Sequence, residues 1–320
     1  MLKEYINTEG LDNTVTHLAT EQRNPNTENI ADVSVEEMLY MINREDATVA
    51  DKVKEAVPQI AKAVDLLVER MSKGGRLVYM AAGTSARLGF MDAAECPPTY
   101  GVELDKVTCL MAGGRGCVFQ AQELMEDSTT AAVTDLKEFG LTPLDTVVAA
   151  AASGRTPYCV AGLKYAKEIG AGAVSIACNL NSEMGKYADV AIELNTGAES
   201  IMGSTRMKAG TAQKMTMNMM STAVMVRLNR TYGNILLPNK EGNTKFNNRT
   251  LRYLAEALNN PDLAYAKSIL EKANGSARCA IVMEVTGADF ATAKEASDYG
   301  DGDLKKTMAR ARELVAEKNK

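Results

Sequence analysis

The chain has 320 residues, of which 46% are hydrophobic and 24% charged, and its formal net charge is −5 at pH 7. This length suits one large domain with appendages or two modest domains, and the negative charge argues against a general nucleic-acid surface. Because no N-terminal stretch has the order of a signal peptide and no apolar run approaches membrane length, we expect a cytoplasmic protein without nucleic-acid or membrane partners.

The first seventy residues divide into a polar segment and a helical one. Residues 1–35 contain the turn-forming sequence Asn24-Pro25-Asn26 and are predicted to be an irregular arm. Residues 35–72 show the apolar spacing of helices. Residues 1–50 carry ten acids against three bases, which disfavours a basic DNA-binding helix at this end of the chain.

Short apolar runs then alternate with helical segments. The runs are residues 76–82, 107–112, 146–152, 172–178 and 190–194. Continuous apolar runs separated by helices are typical of βαβ units, in which a parallel sheet is covered on both faces. We therefore predict an α/β fold with a doubly wound parallel sheet, and such sheets bind ligands beyond the carboxyl ends of their strands.

A turn with two hydroxyl groups follows the first predicted strand. The sequence Gly83-Thr84-Ser85 leads into a predicted helix, whose N-terminal N–H groups and dipole favour an anion. Some residues later Glu95 precedes two successive prolines, which we expect to end the helix. This stretch therefore joins an anion-binding turn to a carboxylate.

The segment 117–138 is predicted to be one helix with an acidic face. Its acids Glu123, Glu126 and Asp127 have i, i+3 and i+4 spacing, so they share one side of a helix. Acidic helix faces are usually only solvated, and composition does not choose among these three residues.

A second hydroxyl turn follows the third predicted strand. It contains Ser153, Gly154 and Thr156, and Pro157 suits the first turn of the next helix. Ser153 and Thr156 are also good helix caps, so capping alone explains either turn taken singly. Two such turns on one sheet favour an anion site. Neither turn is a Walker loop or a G-x-G-x-x-G fingerprint, which disfavours nucleotides.

The last part of the chain is predicted to be helical. Residues 197–208 again place glycines and hydroxyls before a helix, where Arg206 and Lys208 suit a carboxylate or phosphate, although a solvated helix start explains them equally well. The methionine-rich segment 207–229 is predicted to be a buried helix. Residues 231–248 are predicted to be a loop that precedes short helices.

Histidine and cysteine limit the chemistry. The chain has one histidine, His17, which we interpret as a surface residue, and six cysteines without a C-x-x-C pair. A Ser-His-Asp triad and a multi-histidine metal site are therefore nearly excluded, and the cysteines are interpreted as small core residues. Proton transfer here must be performed mainly by carboxylates, lysines, tyrosines or thiols.

The two hydroxyl turns resemble those of sugar isomerase (SIS) domains, which bind phosphosugars. The surrounding sequence is similar to N-acetylmuramic acid 6-phosphate etherases over roughly residues 20–225. The resemblance is carried by Glu45-Asp46, residues 83–101, Glu126-Asp127-Ser128, residues 153–158 and residues 203–214.

This resemblance implies a fold and an assembly. It implies a flavodoxin-like SIS domain at residues 61–232, an N-terminal arm and helix at 1–60, and a C-terminal helical appendage at 249–320. SIS domains commonly pair, so the resemblance also implies a homodimer.

The resemblance also implies a reaction and its residues. The family cleaves the lactyl ether of its substrate, a chemistry that needs neither metal nor redox cofactor. By motif, Glu95 is the expected general acid and Glu126 the expected general base. The residues expected to hold the phosphate are Thr84, Ser85, Ser153, Gly154 and Thr156.

Other functions stay open at this point. A phosphosugar-sensing regulator without catalytic activity explains both hydroxyl turns but gives no reason for Glu95 and Glu126. A phosphosugar isomerase also needs a base at C2 of the sugar. A sugar-responsive transcription factor is disfavoured by the acidic N-terminus.

Overall fold

The structure, a computed structural model, describes residues 17–120, 123–237 and 244–318 of the chain. Its packing divides the chain into two compact units. We name them the sheet unit, Met1–Phe90 with Thr108–Met220, and the helical unit, Met91–Val107 with Ser221–Lys320. The domain boundaries inferred from the sequence, 1–60, 61–232 and 249–320, stay a prediction.

The sheet unit is built on a sheet with the spatial strand order β2-β1-β3-β4-β5. The strands are β1 (Leu77–Ala81), β2 (Val107–Met111), β3 (Thr146–Ala151), β4 (Gly172–Ala177) and β5 (Val190–Glu193). The pairings β1–β3, β3–β4 and β4–β5 are parallel, and β1, β3 and β4 are buried along their whole length. Strands covered on both faces are apolar throughout. The predicted strands and the flavodoxin-like doubly wound fold are confirmed.

Helices lie before, between and after these strands. They are α1 (Val35–Ala47), α2 (Val49–Met71), α3 (Gly83–Tyr100), α4 (Thr129–Glu138), α5 (Pro157–Glu168) and α6 (Lys208–Arg227). Along α2, the residues Val53, Ile60 and Leu67 are buried, which is the spacing of an amphipathic helix. The helical region predicted over residues 35–72 is therefore confirmed as two helices that meet at Thr48.

Helix α3 continues through two prolines that we expected to end it. It runs to Tyr100 with Pro97 and Pro98 inside, so the predicted end near Glu95 is wrong. A proline removes the N–H that would bond to the residue four positions earlier. Here only the last turn loses such bonds, and the N–H of Gly101 still bonds to the carbonyl of Pro97 at 2.9 Å.

The single helix predicted over residues 117–138 is also wrong. The structure has two 3₁₀-helical turns, Arg115–Val118 and Glu123–Asp127, and α4 begins only afterwards. Ser128 sets this start, because its Oγ accepts a backbone N–H from the first turn of α4 at 3.2 Å. Glu126 therefore lies on a short turn before a helix.

The helical unit continues from α6 into a series of short helices. They are α7 (Thr244–Ala257), α8 (Leu263–Lys272), α9 (Ala277–Thr286), α10 (Phe290–Gly300) and α11 (Leu304–Lys318). Their shared core includes Ile269, Ile281 and Leu304. The predicted series of helices is confirmed, although α7 begins inside the loop predicted at 231–248. Residues 238–243 of that loop lie outside the described residues.

The six cysteines lie in the core as predicted, and so do three of the methionines of α6, whereas Met219 is exposed. All six cysteines are buried and free, and burial raises the pKa of the Cys96 and Cys159 thiols to about 12. Both thiols therefore stay protonated near neutral pH, which disfavours a thiolate nucleophile at either position. In the methionine-rich helix α6, Met217, Met220 and Met225 are buried.

The segment before α1, residues 17–34, is called the arm below. It contains two 3₁₀-helical turns, Ala19–Glu21 and Pro25–Thr27, and His17 is exposed, as predicted. Residues 1–16, also predicted to be irregular, lie outside the described part of the chain. None of the described helices is both long and apolar enough to cross a membrane.

Candidate active site

A cavity of about 250 Å³ lies in the sheet unit, where β1 and β3 end. Its lining consists of residues 82–85, residues 150–153, Thr156, Glu126, Glu21 and Thr205. The strands β1 and β3 are neighbours at the point where the strand order reverses. This is the place where doubly wound sheets bind ligands. The structure therefore brings both predicted hydroxyl turns to one cavity.

The first hydroxyl turn opens helix α3. Gly83 has a positive φ of 52°, a conformation that glycine adopts at no steric cost. The hydroxyl of the buried Ser85 lies 2.8 Å from Oε1 of Gln213 on α6. The Nε2 of Gln213 is buried and has no hydrogen-bond partner among the described residues. Ser85 is thus held in place by a side chain that retains an unused donor.

The second hydroxyl turn requires glycine at its centre. Gly154 has φ 71°, and a β-carbon added there would lie 2.5 Å from Cβ of Ser182. The Oγ of Ser153 accepts the N–H of Arg155 at 3.2 Å. Thr156 stands at the N-cap of α5 without a capping hydrogen bond from its side chain. Capping therefore does not account for Thr156, whose hydroxyl is available to the cavity.

The two predicted catalytic carboxylates lie in different units. Glu126 is exposed and lines the cavity. Glu95 belongs to the helical unit, where it lies on the exposed side of α3. The opposite side of α3 is buried there and includes Asp92, which accepts a hydrogen bond from Ser221 of α6 at 2.9 Å. Glu95 is not among the described residues that line the cavity.

Two lining residues were missed from the sequence. Thr205 lies in the motif of residues 203–214, which had no assigned role. Glu21 comes from the arm, which has no periodic pattern that would indicate which residues face inward. Only the folded chain places Glu21 beside the two hydroxyl turns.

Long-range hydrogen bonds hold the arm against the cavity wall. Asn179 joins the arm to the cavity lining, because its Nδ2 donates to Oγ1 of Thr20 and to the carbonyl of Ala152, both at 3.0 Å. Further along the arm, Thr27 donates to the carbonyl of Ser200 at 2.8 Å. The arm is therefore part of the wall of the site.

A buried ion pair secures the start of α6. Nζ of Lys208 lies 2.7 Å from Oε2 of Glu45, and both side chains are less than a tenth exposed. Burial alone would raise the pKa of Glu45, but hydrogen bonds from Lys208 and Asn26 hold it below its ordinary value. Lys208 thus meets a carboxylate, one of the two predicted partners, and the alternative of a solvated helix start is wrong. Arg206 is exposed.

Glu199 caps the same helix from within the protein. It is fully buried, and its carboxylate accepts the N–H groups of Lys208 and Ala209 at 2.8 and 3.0 Å. Burial raises the pKa of Glu199 despite these two hydrogen bonds, which lower it. Glu199 and Lys208 thus fix the start of α6, close in the chain to Thr205 of the lining.

The Glu45–Lys208 pair yields a stability prediction. Replacing Lys208 with methionine leaves a buried carboxylate unpaired, which is expected to cost about 3–5 kcal/mol in the free energy of unfolding. Chemical denaturation at pH 7 measures this difference. The folded pKa of Glu45 lies below its ordinary value of 4.5, so the stabilisation is present above pH 4.5 and is lost as the pH falls further.

A matched control is available on the same helix. Lys214 on α6 is exposed, and Lys214→Met is expected to change the free energy of unfolding by no more than about 0.5 kcal/mol. Equal stability losses in the two variants would show that the buried pair contributes nothing beyond a surface lysine.

Two family models match the part of the chain that contains the sheet. One, described as the glucokinase regulatory protein N-terminal SIS domain, matches residues 59–167, and the other, described as the SIS domain, matches residues 137–223. The two matches together include all five strands and both hydroxyl turns. The sheet unit therefore has the fold of a SIS domain.

Three curated relatives share the name N-acetylmuramic acid 6-phosphate etherase. The relative from Geobacillus sp. (strain WCH70) is 45% identical over 291 residues, which are 91% of this chain and 98% of the relative. The relative from Mycolicibacterium smegmatis is 45% identical over 288 residues, 90% of this chain and 96% of its own. The relative from Clostridium botulinum (strain Hall) is 46% identical over 285 residues, 89% and 94% of the two chains. These matches extend across both units.

Proposed function

The chain belongs to the N-acetylmuramic acid 6-phosphate etherase family, and we propose that it uses the cavity beside β1 and β3 to hold the phosphosugar. It cleaves the D-lactyl ether of N-acetylmuramic acid 6-phosphate and yields N-acetylglucosamine 6-phosphate and D-lactate. The observation that carries this function is the match to etherases along nearly the whole chain. The cavity supports it, because Glu126 lies there with both hydroxyl turns.

The phosphate is bound by hydroxyl and backbone groups. Thr84, Ser85, Ser153 and Thr156 line one cavity, and Gly154 lets the backbone turn closely between the last two. The first turns of α3 and α5 add N–H donors and the positive ends of their dipoles. No lysine or arginine is found among the described lining residues, so neutral donors supply this recognition.

The reaction is an elimination followed by an addition. Opening of the sugar ring produces an aldehyde at C1, which acidifies the proton on C2. A base removes that proton to give an enolate, and an acid then protonates the ether oxygen on C3 as the C3–O bond breaks and lactate leaves. Water then adds to the unsaturated aldehyde at C3, and C2 regains a proton. The sequence of steps needs one ionised and one protonated carboxyl group.

The two glutamates have different parts in this proposal. Glu126 removes the proton from C2, which is supported by its place in the lining with the phosphate-binding hydroxyls. Glu95 protonates the departing ether oxygen, a role that rests on its motif in residues 83–101. These steps use no metal ion and no redox cofactor.

The alternative functions are not favoured. A phosphosugar-sensing regulator agrees with the family model that covers residues 59–167. The relatives that match across both units are named as etherases. An isomerase would use Glu126 in the same way at C2 but would release no lactate.

Release of D-lactate tests the function directly. We expect purified protein incubated with N-acetylmuramic acid 6-phosphate to form D-lactate and N-acetylglucosamine 6-phosphate in equal amounts, measured by enzymatic lactate assay and mass spectrometry. Unphosphorylated N-acetylmuramic acid is the control, since it lacks the phosphate that the hydroxyl turns bind. Sugar-phosphate binding without lactate release would contradict the etherase function and favour a regulator.

We also propose that the protein is a cytoplasmic homodimer. SIS domains commonly pair, which is an argument by analogy. In support, α1 exposes Val35, Leu39 and Tyr40, and exposed apolar groups of this kind often mark contact surfaces. The molar mass in solution measures this state.

A further inference from the structure

Glu21 of the arm is an acid that lines the cavity. The side chain is half-buried and belongs to the same lining as the two hydroxyl turns. No hydrogen bond or ion pair joins its carboxylate to another residue in the described part of the chain. Its Oε2 lies beside the loop before α6, 4.0 Å from the place where a β-carbon on Gly203 would stand.

The position of Glu21 is determined by its neighbours on the arm. The N–H of Thr20 donates to Oδ1 of Asn179 at 3.3 Å, and Nδ2 of Asn179 returns a bond to Thr20. Since Asn179 also bonds to Ala152 of the lining, the backbone next to Glu21 is tied to the cavity wall. Glu21 is therefore held in the lining because the arm is anchored.

A carboxylate in this place distinguishes hydroxyl groups from phosphate groups. It only accepts hydrogen bonds when ionised, so it repels a phosphate dianion and attracts O–H groups. Inorganic phosphate near neutral pH carries O–H groups only on the anion itself, which the carboxylate repels. A sugar phosphate offers both groups in one molecule, with hydroxyls separated from the phosphate by the carbon chain.

We propose that the carboxylate of Glu21 accepts a hydrogen bond from a hydroxyl of the bound phosphosugar and so selects sugar phosphates over other phosphates. This role rests on the proposed phosphate site and adds a specificity residue to it. Glu21 is distinct from the base, because the motif resemblance places that function on Glu126. Glu21 binds the sugar and takes no proton from carbon.

The test compares two ligands that differ only in the sugar. Dissociation constants for N-acetylglucosamine 6-phosphate and for inorganic phosphate are measured by calorimetry. We expect Glu21→Ala to raise the dissociation constant of the sugar phosphate about 10- to 100-fold, which is the contribution of a hydrogen bond to a charged group. Binding of inorganic phosphate should not weaken, since for that ion the substitution removes only a repulsion.

Two further variants separate the sugar contact from the phosphate contact. Glu21→Gln keeps a hydrogen-bond acceptor without the charge. Its affinity for the sugar phosphate should therefore lie between those of the wild type and Glu21→Ala. Ser153→Ala removes a hydroxyl of the second turn and should weaken the binding of both ligands by similar factors. Glu28→Gln is the matched control, because Glu28 is an exposed glutamate of the same arm outside the described lining.

The outcomes are decisive in either direction. Unchanged sugar-phosphate binding in Glu21→Ala would overturn the proposal, and so would equal weakening of both ligands, which would indicate a general effect of the arm. Wild-type lactate release is measured beside these titrations. Failure of the etherase function would appear there, whereas failure of the Glu21 contact would appear only in the comparison of ligands.

Discussion

Replacing Glu126 with glutamine is expected to lower kcat for D-lactate release by about 10²–10⁴-fold, the usual contribution of a general base. Glutamine has nearly the same shape but cannot take the proton from C2. Binding of the phosphosugar should change little, because the hydroxyl turns that hold the phosphate are intact. Steady-state kinetics and calorimetry measure the two effects separately.

Proton exchange at C2 gives a sharper readout of the same variant. In deuterium oxide the wild type should exchange the C2 proton of N-acetylglucosamine 6-phosphate, which NMR detects, and Glu126→Gln should not. Asp127→Asn is the control, since Asp127 is the exposed neighbouring acid and is outside the described lining. Normal exchange in Glu126→Gln would contradict its role as the base.

Replacing Glu95 with glutamine is expected to lower kcat by a similar factor of about 10²–10⁴, now through loss of the acid. The step that fails is departure of lactate, since glutamine cannot protonate the ether oxygen. Exchange of the C2 proton should therefore persist in Glu95→Gln while lactate release is lost. This opposite pattern distinguishes the two glutamates in one pair of assays.

The control for Glu95 comes from the same unit. Glu103 is an exposed glutamate that follows α3, and Glu103→Gln should retain wild-type turnover. Full lactate release by Glu95→Gln would contradict the role of Glu95 as the general acid. Loss of exchange together with release would instead assign Glu95 to the first step.

The sheet and its two hydroxyl turns were predictable from the sequence because the signals are local. Strands such as β3 are buried on both faces, so each is one continuous apolar run. The turn at Gly154 must follow such a strand, and glycine marks its positive φ. Both signals need only neighbouring residues.

Helix ends were less predictable because local rules compete there. Two prolines normally end a helix, but in the last turn of α3 they remove few bonds, and the helix continues to Tyr100. In the acidic segment, the cap at Ser128 outweighs the helical spacing of Glu123, Glu126 and Asp127. A spacing rule does not include the competing free energy of a cap.

The other parts of the site could not be predicted from the sequence, because their contacts join residues that are distant in the chain. Lys208 is a lysine in a polar motif in the sequence, but in the fold it is buried against Glu45. Glu21 lies in a segment without periodicity and enters the lining only through the bonds of Thr20 to Asn179. Pairings of this kind depend on the assembled sheet unit.

The anchoring of the arm has a consequence for how the protein is made. Thr20 bonds to a residue 159 positions away, and Glu45 pairs with one 163 positions away. Contacts this distant close large loops and form late in folding. The arm leaves the ribosome before the sheet does, but it cannot dock until Asn179 and Ser200 have been synthesised. A nascent chain that stops short of Asn179 therefore has both hydroxyl turns but lacks the partner that anchors the arm beside them.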